Sequence, residues 1–562
     1  MTQSNSRRSF LRKVSLGTMA VSGGIGLAGC GGDGAPIDVR FMHGVASGDP
    51  LADRVILWSR VSTTSTEDIE VTWFVSEDSD FRTVIASGSM TTGTARDHTV
   101  KVDATGLSAN RGYYYRFQCF GVASPTGRTR TLGIGNLNQV KLAVFSCSNY
   151  PAGYFNVYAE AAKHNDIDVA LHLGDYIYEY AKDGYASDDA ATLGRVSLPA
   201  NEIITLTDYR RRHAQYRSDP DLQNVHARLP FITVWDDHEF ANDAWRDGAQ
   251  NHDPAIEGLF IARRQMAMQA YHEWMPIRLP DASRPDRIYR SFDFGNLLSL
   301  HMLDTRVVGR DKQLNFANYI GANGAFNATA LAADLANPSR QLMGTEQTSW
   351  LQGQMTRSKA TWQLLGQQVL MGRMNIPAPL VLQTISFSAY TVLATKAQTA
   401  PADLTPAELK ILSQPAIPYN LDAWDGYQAA RETVLGMATT LNKNLVVLAG
   451  DTHNAWASDL ADLSGQAVGV EFGVSSVTSP GFETVFPNEN PAAVAGGLTQ
   501  IIGPLQYAET ASRGFMVVVV TPAETRAEYH YVSTVKSRTY TAAVGKIIKT
   551  LPGPGNRKLV AA

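Results

Sequence analysis

An α/β domain of strands covered by helices, preceded by a small all-β sandwich, is the fold class this sequence predicts. Three observations carry that expectation. Over about residues 38–135, short strand-like runs follow one another, separated by polar and glycine-containing turns. From about Lys141 onward, apolar strands alternate with helical stretches. The chain has 562 residues, too many for one small core.

The first segment, residues 1–29, reads as a targeting signal rather than as part of the fold. It starts polar and basic, then turns apolar and small, and its apolar part, Val14 to Gly29, is too short and glycine-rich to span a membrane comfortably. Arg7 and Arg8, followed by Phe10 and Leu11, resemble a twin-arginine export signal. The run ends "LAGC", which resembles a bacterial lipobox and makes Cys30 the expected lipidated N-terminus. The expectation is an exported protein of the bacterial cell envelope, periplasmic or at the cell surface. It would be held to the membrane by a lipid anchor at Cys30, with the twin-arginine machinery its partner during export.

Composition narrows the function classes. With 49 basic and 53 acidic residues the formal net charge is -4, so there is no nucleic-acid-binding signal. Three cysteines, Cys30, Cys119 and Cys147, are too few for a disulfide framework.

In the β-rich region the runs are "RVILWSRV", "IEVTWFVS", "HTVKVDAT" and "YYYRFQCF". Leu107, six residues before Tyr113, resembles the tyrosine corner of fibronectin-like domains. Cys119 sits in the last of these runs as a small buried residue. In the α/β region, "YFNVYAEAAKHN" and "GLFIARRQMAMQAYHEWM" have helical spacing. The strands are "VKLAVFSCSN", "DIDVALHLGD", "LPFITVWDDHE", "NLLSLHMLDTR", "TWQLLGQQVL", "KNLVVLAGDTHN", "GFMVVVVTP" and "AEYHYVST". Irregular stretches near 181–202, 315–339 and 377–419 read as lids or substrate walls. The basic C-terminal "KSRTYTAAVGKIIKTLPGPGNRKLV" has a partly helical look and is expected to cap the pocket.

Four of these strands end in residues that can hold a metal. They give "FSCSN" with Cys147, "LGDYIY" with Asp175 and Tyr178, "VWDDHEFAND" with Asp236, Asp237, His238 and Asn242, and "LAGDTHN" with Asp451, His453 and Asn454. Ligands of open α/β sheets bind beyond the carboxyl ends of strands, so the four ends can form one cup of oxygen, nitrogen and sulfur donors. Taken singly, each has a bland reading: a small core residue for Cys147, a core aromatic for Tyr178, a capped turn at Asp451. A carboxylate at the end of an apolar strand nevertheless costs free energy unless something positive meets it. Thiolate with phenolate suits Fe(3+), whereas carboxylates suit Ca(2+), Mg or Mn. The mixed set implies two different ions bridged by Asp175, an arrangement suited to phosphate-ester hydrolysis.

These motifs, together with "HGVASGDPLADRVILWSRV", resemble the PhoD-like alkaline phosphatases of the calcineurin-like metallophosphoesterases, over His43 to at least Val532. The resemblance implies an αββα sandwich over 138–545, preceded by a fibronectin/Ig-like sandwich over 38–135. It implies Cys147 and Tyr178 as iron ligands, Asp175 as bridge, and Asp451 and His453 from the last strand. "DDHE" stands where the wider superfamily has Gly-Asn-His-Glu, so Asp237 takes the asparagine ligand position and His238 that of the catalytic histidine. Asn242 is a candidate ligand of the second ion, which is expected to be Ca(2+), with Mn, Mg and Zn as other divalent candidates.

The expected reaction is hydrolysis of phosphate monoesters by direct attack of a metal-bound hydroxide. His238, oriented by Asp236 or Glu239, would protonate the leaving alkoxide. Arg246 and Arg306 are candidate contacts to the phosphate ester, each weighed against a surface ion pair. The alternatives are a phosphodiesterase or phospholipase D-like activity on the same metals, and a non-catalytic lipoprotein binding partners through its β-sandwich.

Overall fold

Three apolar strands, Val140–Phe145, Val169–His172 and Pro230–Thr233, lie side by side in parallel, with Phe145 opposite His172 and His172 opposite Thr233. They are buried on both faces, which is why they read as continuous apolar runs rather than as an alternating pattern. A computed structural model provides the structure and describes residues 38–562; the targeting segment and Cys30 lie outside the described residues.

These strands form the middle of a ten-stranded sheet. On one side Arg513–Val520, Thr525–Val532 and Ala542–Thr550 continue it in antiparallel fashion. On the other side Val45–Gly48 pairs in parallel with Pro230–Thr233, and Arg54–Arg60 and Thr99–Thr105 follow. Strands of the N-terminal region therefore run on from the large sheet. The rest of that region forms a five-stranded sheet that includes Ile69–Ser76, Val84–Thr92 and Gly112–Cys119. Val55, Leu57, Val71, Tyr115 and Phe117 fill an apolar core there, with Cys119. The Tyr113 hydroxyl accepts from the Ser108 N–H at 2.9 Å, tying the turn before its strand to the strand itself.

A seven-stranded sheet has Leu298–Met302, Trp362–Gly366, Asn444–Ala449 and Ala467–Gly473 as its parallel centre. Val144, Leu171 and Ile232 from the larger sheet and Leu300, Leu364 and Val446 from this one share a single core. Helices pack on the opposite faces, Phe260–Trp274 through Ala267, Met268 and Tyr271, and Gln428–Thr440 through Val434 and Leu435. Two helices near the site start on side-chain caps. Thr205 and Asp208 form a reciprocal capping box for Leu206–Arg217, and Asp219 caps Pro220–Arg228.

The C-terminal stretch differs from its expected form. Residues Ala542–Thr550 are a strand paired with Thr525–Val532 on one side and, through Ile548–Thr550, with the short edge strand Leu559–Ala561 on the other, not a helical cap. Its Val544, Ile547, Ile548 and Thr550 are β-branched and suit the strand, which an existing sheet edge then recruits. The 377–419 stretch is more regular than its prolines suggest, with helices Phe387–Thr399 and Pro406–Leu412. Among the described residues no helix is long and apolar enough to cross a membrane.

Candidate active site and metal centre

Cys147, Asp175, Asp451 and His453 each follow a parallel strand, and each holds a left-handed backbone, with φ of 61°, 56°, 66° and 64°. Such conformations are uncommon for side-chain-bearing residues and persist where surrounding structure enforces them, often at functional sites. Here the enforcing contacts are close backbone approaches. A Cβ at Gly174 would run into Asp236, and one at Gly450 would run into the Ser146 hydroxyl. The Cys147 and Ser148 N–H groups donate to the Gly174 and Asp175 carbonyls at 3.2 and 2.9 Å, locking two strand ends together.

The four strand ends converge. Ligand atoms of Cys147, Asp175 and His453 lie within 4.8 Å of one another, as do those of Asp175, Asp237 and His238, and those of Asp236, Asp237 and Asp451. Asp175 belongs to the first two groups and Asp237 to the last two. The Tyr178 hydroxyl joins the first group, donating to Asp175 Oδ2 at 3.0 Å and lying 3.3 Å from His453 Nε2. The His453 Nδ1 lies 2.8 Å from the Pro480 carbonyl and donates to it, which leaves the Nε2 lone pair facing the donors.

The donor set fits cations. Asp175 Oδ1, Asp236 Oδ2 and Asp237 Oδ1 are buried acceptors with no hydrogen-bond partner in the chain. Burial, then the neighbouring Asp175 charge, pushes the Cys147 thiol and the Tyr178 hydroxyl well above their ordinary ranges. Burial also pushes Asp175 and Asp236 far up and pulls His453 down to about 3. Burial thus works against the charged forms of Cys147, Asp175, Tyr178 and Asp236 and keeps His453 neutral, a set of donors whose charge a polyvalent ion would compensate.

The metal-free protein carries a pH signature of that deficit. Burial pushes Asp451 up to about 7 and Glu239 up to about 8. These acids bind more protons folded than unfolded between roughly pH 4 and pH 8, so their contribution to stability falls as pH rises through that window. The melting temperature of chelated Asp451→Asn, relative to chelated wild type, is expected to rise between about pH 5.5 and about pH 8.5. A relative melting temperature that stays flat or falls across that window contradicts the picture.

His238 has a partner that the motif reading missed. Its Nδ1 lies 2.7 Å from Glu179 Oε2, and Glu179 also accepts from the Asn242 N–H and the Asn251 amide. Burial would lower His238, but the Glu179, Asp237 and Asp175 charges hold it well above the ordinary histidine range. Asp236 and Glu239, the expected orienting groups, do other things. Asp236 pairs with Arg306, and Glu239 accepts from the backbone N–H groups of Asp175, Tyr176 and Asp236 at 3.1, 2.6 and 2.7 Å. Glu239 thus aligns the two strand ends.

Arg306 lies neither at the surface nor open to a substrate. It is fully buried in a cage of carboxylates, 2.6 Å from Asp422, 2.8 Å from Asp451 and 3.7 Å from Asp237, and in contact with Asp236. Arg246 is exposed and pairs with Asp247 at 3.0 Å, a surface ion pair. Asn242 engages Tyr180 through its oxygen at 3.1 Å and Gln250 through its amide at 2.9 Å. Cys119 and Cys147 are both buried and unbridged.

The comparisons with known proteins converge on one family. The family model of the PhoD-like phosphatase matches residues 142–529, and that of its N-terminal domain matches residues 29–133. Alkaline phosphatase D of Bacillus subtilis (strain 168) is 35% identical over 507 residues, covering 87% of this chain and 77% of that protein. The chain belongs to the PhoD-like phosphatase family. A solved structure of PhoD covers 93% of this chain and 92% of its own, at 32% identity and a TM-score of 0.75. This PhoD-like protein is therefore a phosphoester hydrolase, and its substrate is a phosphate ester.

Two further residues of this phosphatase enter the site from a distance. The Ser479 hydroxyl donates to Tyr178 at 2.6 Å, and the Tyr185 hydroxyl, from the 181–202 loop, lies 3.2 Å from His453 Nδ1. Neither stands in a motif, and only the fold brings them in.

Proposed function

We propose that this phosphatase is a metal-dependent phosphomonoesterase of the cell envelope, exported through a twin-arginine signal and lipid-anchored at Cys30. The observation that carries the catalytic reading is the shared vertex: Asp175 stands in both a thiol–imidazole group and a carboxylate–imidazole group. Cys147, Asp175, Tyr178 and His453 suit Fe(3+), and Asp175, Asp237 and Asp451, with Asn242 nearby, suit Ca(2+) or another divalent ion. When bound, the ions supply Lewis acidity and an activated water. The shared core between the two large sheets, with helices outside, supports the αββα layering over 138–545. The separate core around Val71 and Tyr115 supports a fibronectin/Ig-like sandwich over 38–135.

The chain's own residues handle the proton. His238 carries it, with Nδ1 held by Glu179 and Nε2 left to serve the leaving oxygen. Arg306 pairs with Asp236 and Asp451, fixing them and favouring their charged forms against the effect of burial. Glu179→Gln is expected to lower kcat roughly 10- to 100-fold. Because Glu179 raises the His238 pKa, the alkaline limb of the pH–rate profile should also move to lower pH. An unshifted limb removes Glu179 from this role.

The test of the whole reading is chelation. Activity on a monoester should disappear with a chelator and return with iron and calcium together. Hydrolysis in heavy-oxygen water should place one solvent oxygen in the product phosphate. Full activity in protein shown to be metal-free, or a trapped phosphoenzyme, overturns it.

A further inference from the structure

Next to the Asp451–Asn454 loop lies a partly open apolar cavity of about 190 Å³. No charged side chain lines it. Its walls include Ile376 and Tyr419 from one segment, Trp456 from the strand after the loop, and Phe482, Phe486 and Leu498 from another. The rings meet edge to face: Phe482 stands 5.7 Å from Tyr419, Trp456 and Phe486, at 84°, 71° and 84°.

The cavity is tied to the donor loop at two points. Trp456 Nε1 donates to Thr452 Oγ1 at 2.7 Å, and the Phe482 N–H donates to Asn454 Oδ1 at 3.0 Å. Thr452 and Asn454 flank His453. Trp456 and Phe482 thus place the cavity directly behind the residues on either side of His453.

We propose that this cavity seats an apolar group on the alcohol side of the phosphate ester, the size of one aromatic ring or a short branched alkyl chain. The proposal rests on the phosphoesterase reading above and names its substrate class. Size decides the occupant: a dry apolar cavity of about 150 Å³ takes up benzene, so there is room here for one ring and not for a long acyl chain. Filling such a space gains dispersion contacts and removes apolar surface from water. A polar alcohol such as glycerol gains neither.

The test uses the metal-loaded full chain with benzyl phosphate and glycerol 1-phosphate, both esters of alkyl alcohols with similarly poor leaving groups. Wild type is expected to show kcat/KM roughly tenfold higher for the benzyl ester. Phe486→Ala, which opens a wall, and Val485→Trp, at an exposed rim position, should each erase most of that preference while leaving glycerol 1-phosphate turnover unchanged. Equal kcat/KM for the two esters in wild type overturns the proposal, as does a variant that slows both esters alike. A marked preference for dodecyl phosphate over benzyl phosphate overturns the size assignment. If glycerol 1-phosphate is hydrolysed without any benzyl preference, only the cavity proposal falls. If neither ester is turned over by metal-loaded enzyme, the phosphoesterase reading falls with it.

Discussion

Asp175→Ala is expected to lower kcat/KM by at least ~10³-fold, a loss of about 4 kcal/mol of transition-state stabilisation. No other residue lies in both the group containing Cys147 and His453 and the group containing Asp237 and His238. Its Oδ2 takes the Tyr178 hydroxyl while Oδ1 has no partner in the chain, so one carboxylate serves two neighbourhoods. The same change is expected to stabilise the metal-free protein. It deletes a carboxyl that burial pushes well above its ordinary range, and it relieves repulsion with Asp236 and Asp237. Steady-state kinetics and metal content on the loaded protein, with melts of the chelated one, read out both effects. A variant that keeps activity within tenfold, or that loses stability when metal-free, contradicts this role.

Arg306→Met should be the most destabilising of the changes near the site. The guanidinium is fully buried among Asp236, Asp237, Asp422 and Asp451, and among the described residues no other cation touches that set at ion-pair distance except Arg310, on Asp422. Replacing one partner of a buried ion pair leaves uncompensated charge and typically costs ~3–5 kcal/mol. The cost should be largest in chelated protein, where no ions share the carboxylates. Adding Asp422→Asn should recover part of the loss, because a double-mutant cycle isolates the coupled pair. Denaturant unfolding of the chelated protein measures it. A change below ~1 kcal/mol means that the carboxylates are protonated and the cage is not ionic.

The site was partly legible because its strands are buried on both faces. An apolar run such as "VALHL" that stops abruptly at Gly174-Asp175 announces both a strand end and a residue in need of a partner. The same holds for "VVLAGD" before Thr452. Glu179 was not legible as the partner of His238, because the pairing crosses 59 positions and depends on where the turn after Asp175 points. Arg306 stands in "MLDTR" with nothing local to mark it as buried, and its surroundings come from three other segments. The C-terminal strand shows the same limit. Its basic, partly helical look suggested a cap over the pocket, while pairing with Thr525–Val532 chose the extended form for its β-branched residues.

What the sequence by itself determined is the chemistry on offer: thiol, phenol, imidazole and carboxylates at the ends of apolar strands, and glycines where the backbone must pass close by. Those are local properties, set by side-chain type and by the apolar pattern within a few residues. What only the tertiary structure decided is which charges meet, since pairing strength falls with distance through space and not along the chain. That is why Arg306 became a carboxylate clamp, Glu179 a proton-holding partner, and the rings around Phe482 the walls of a cavity.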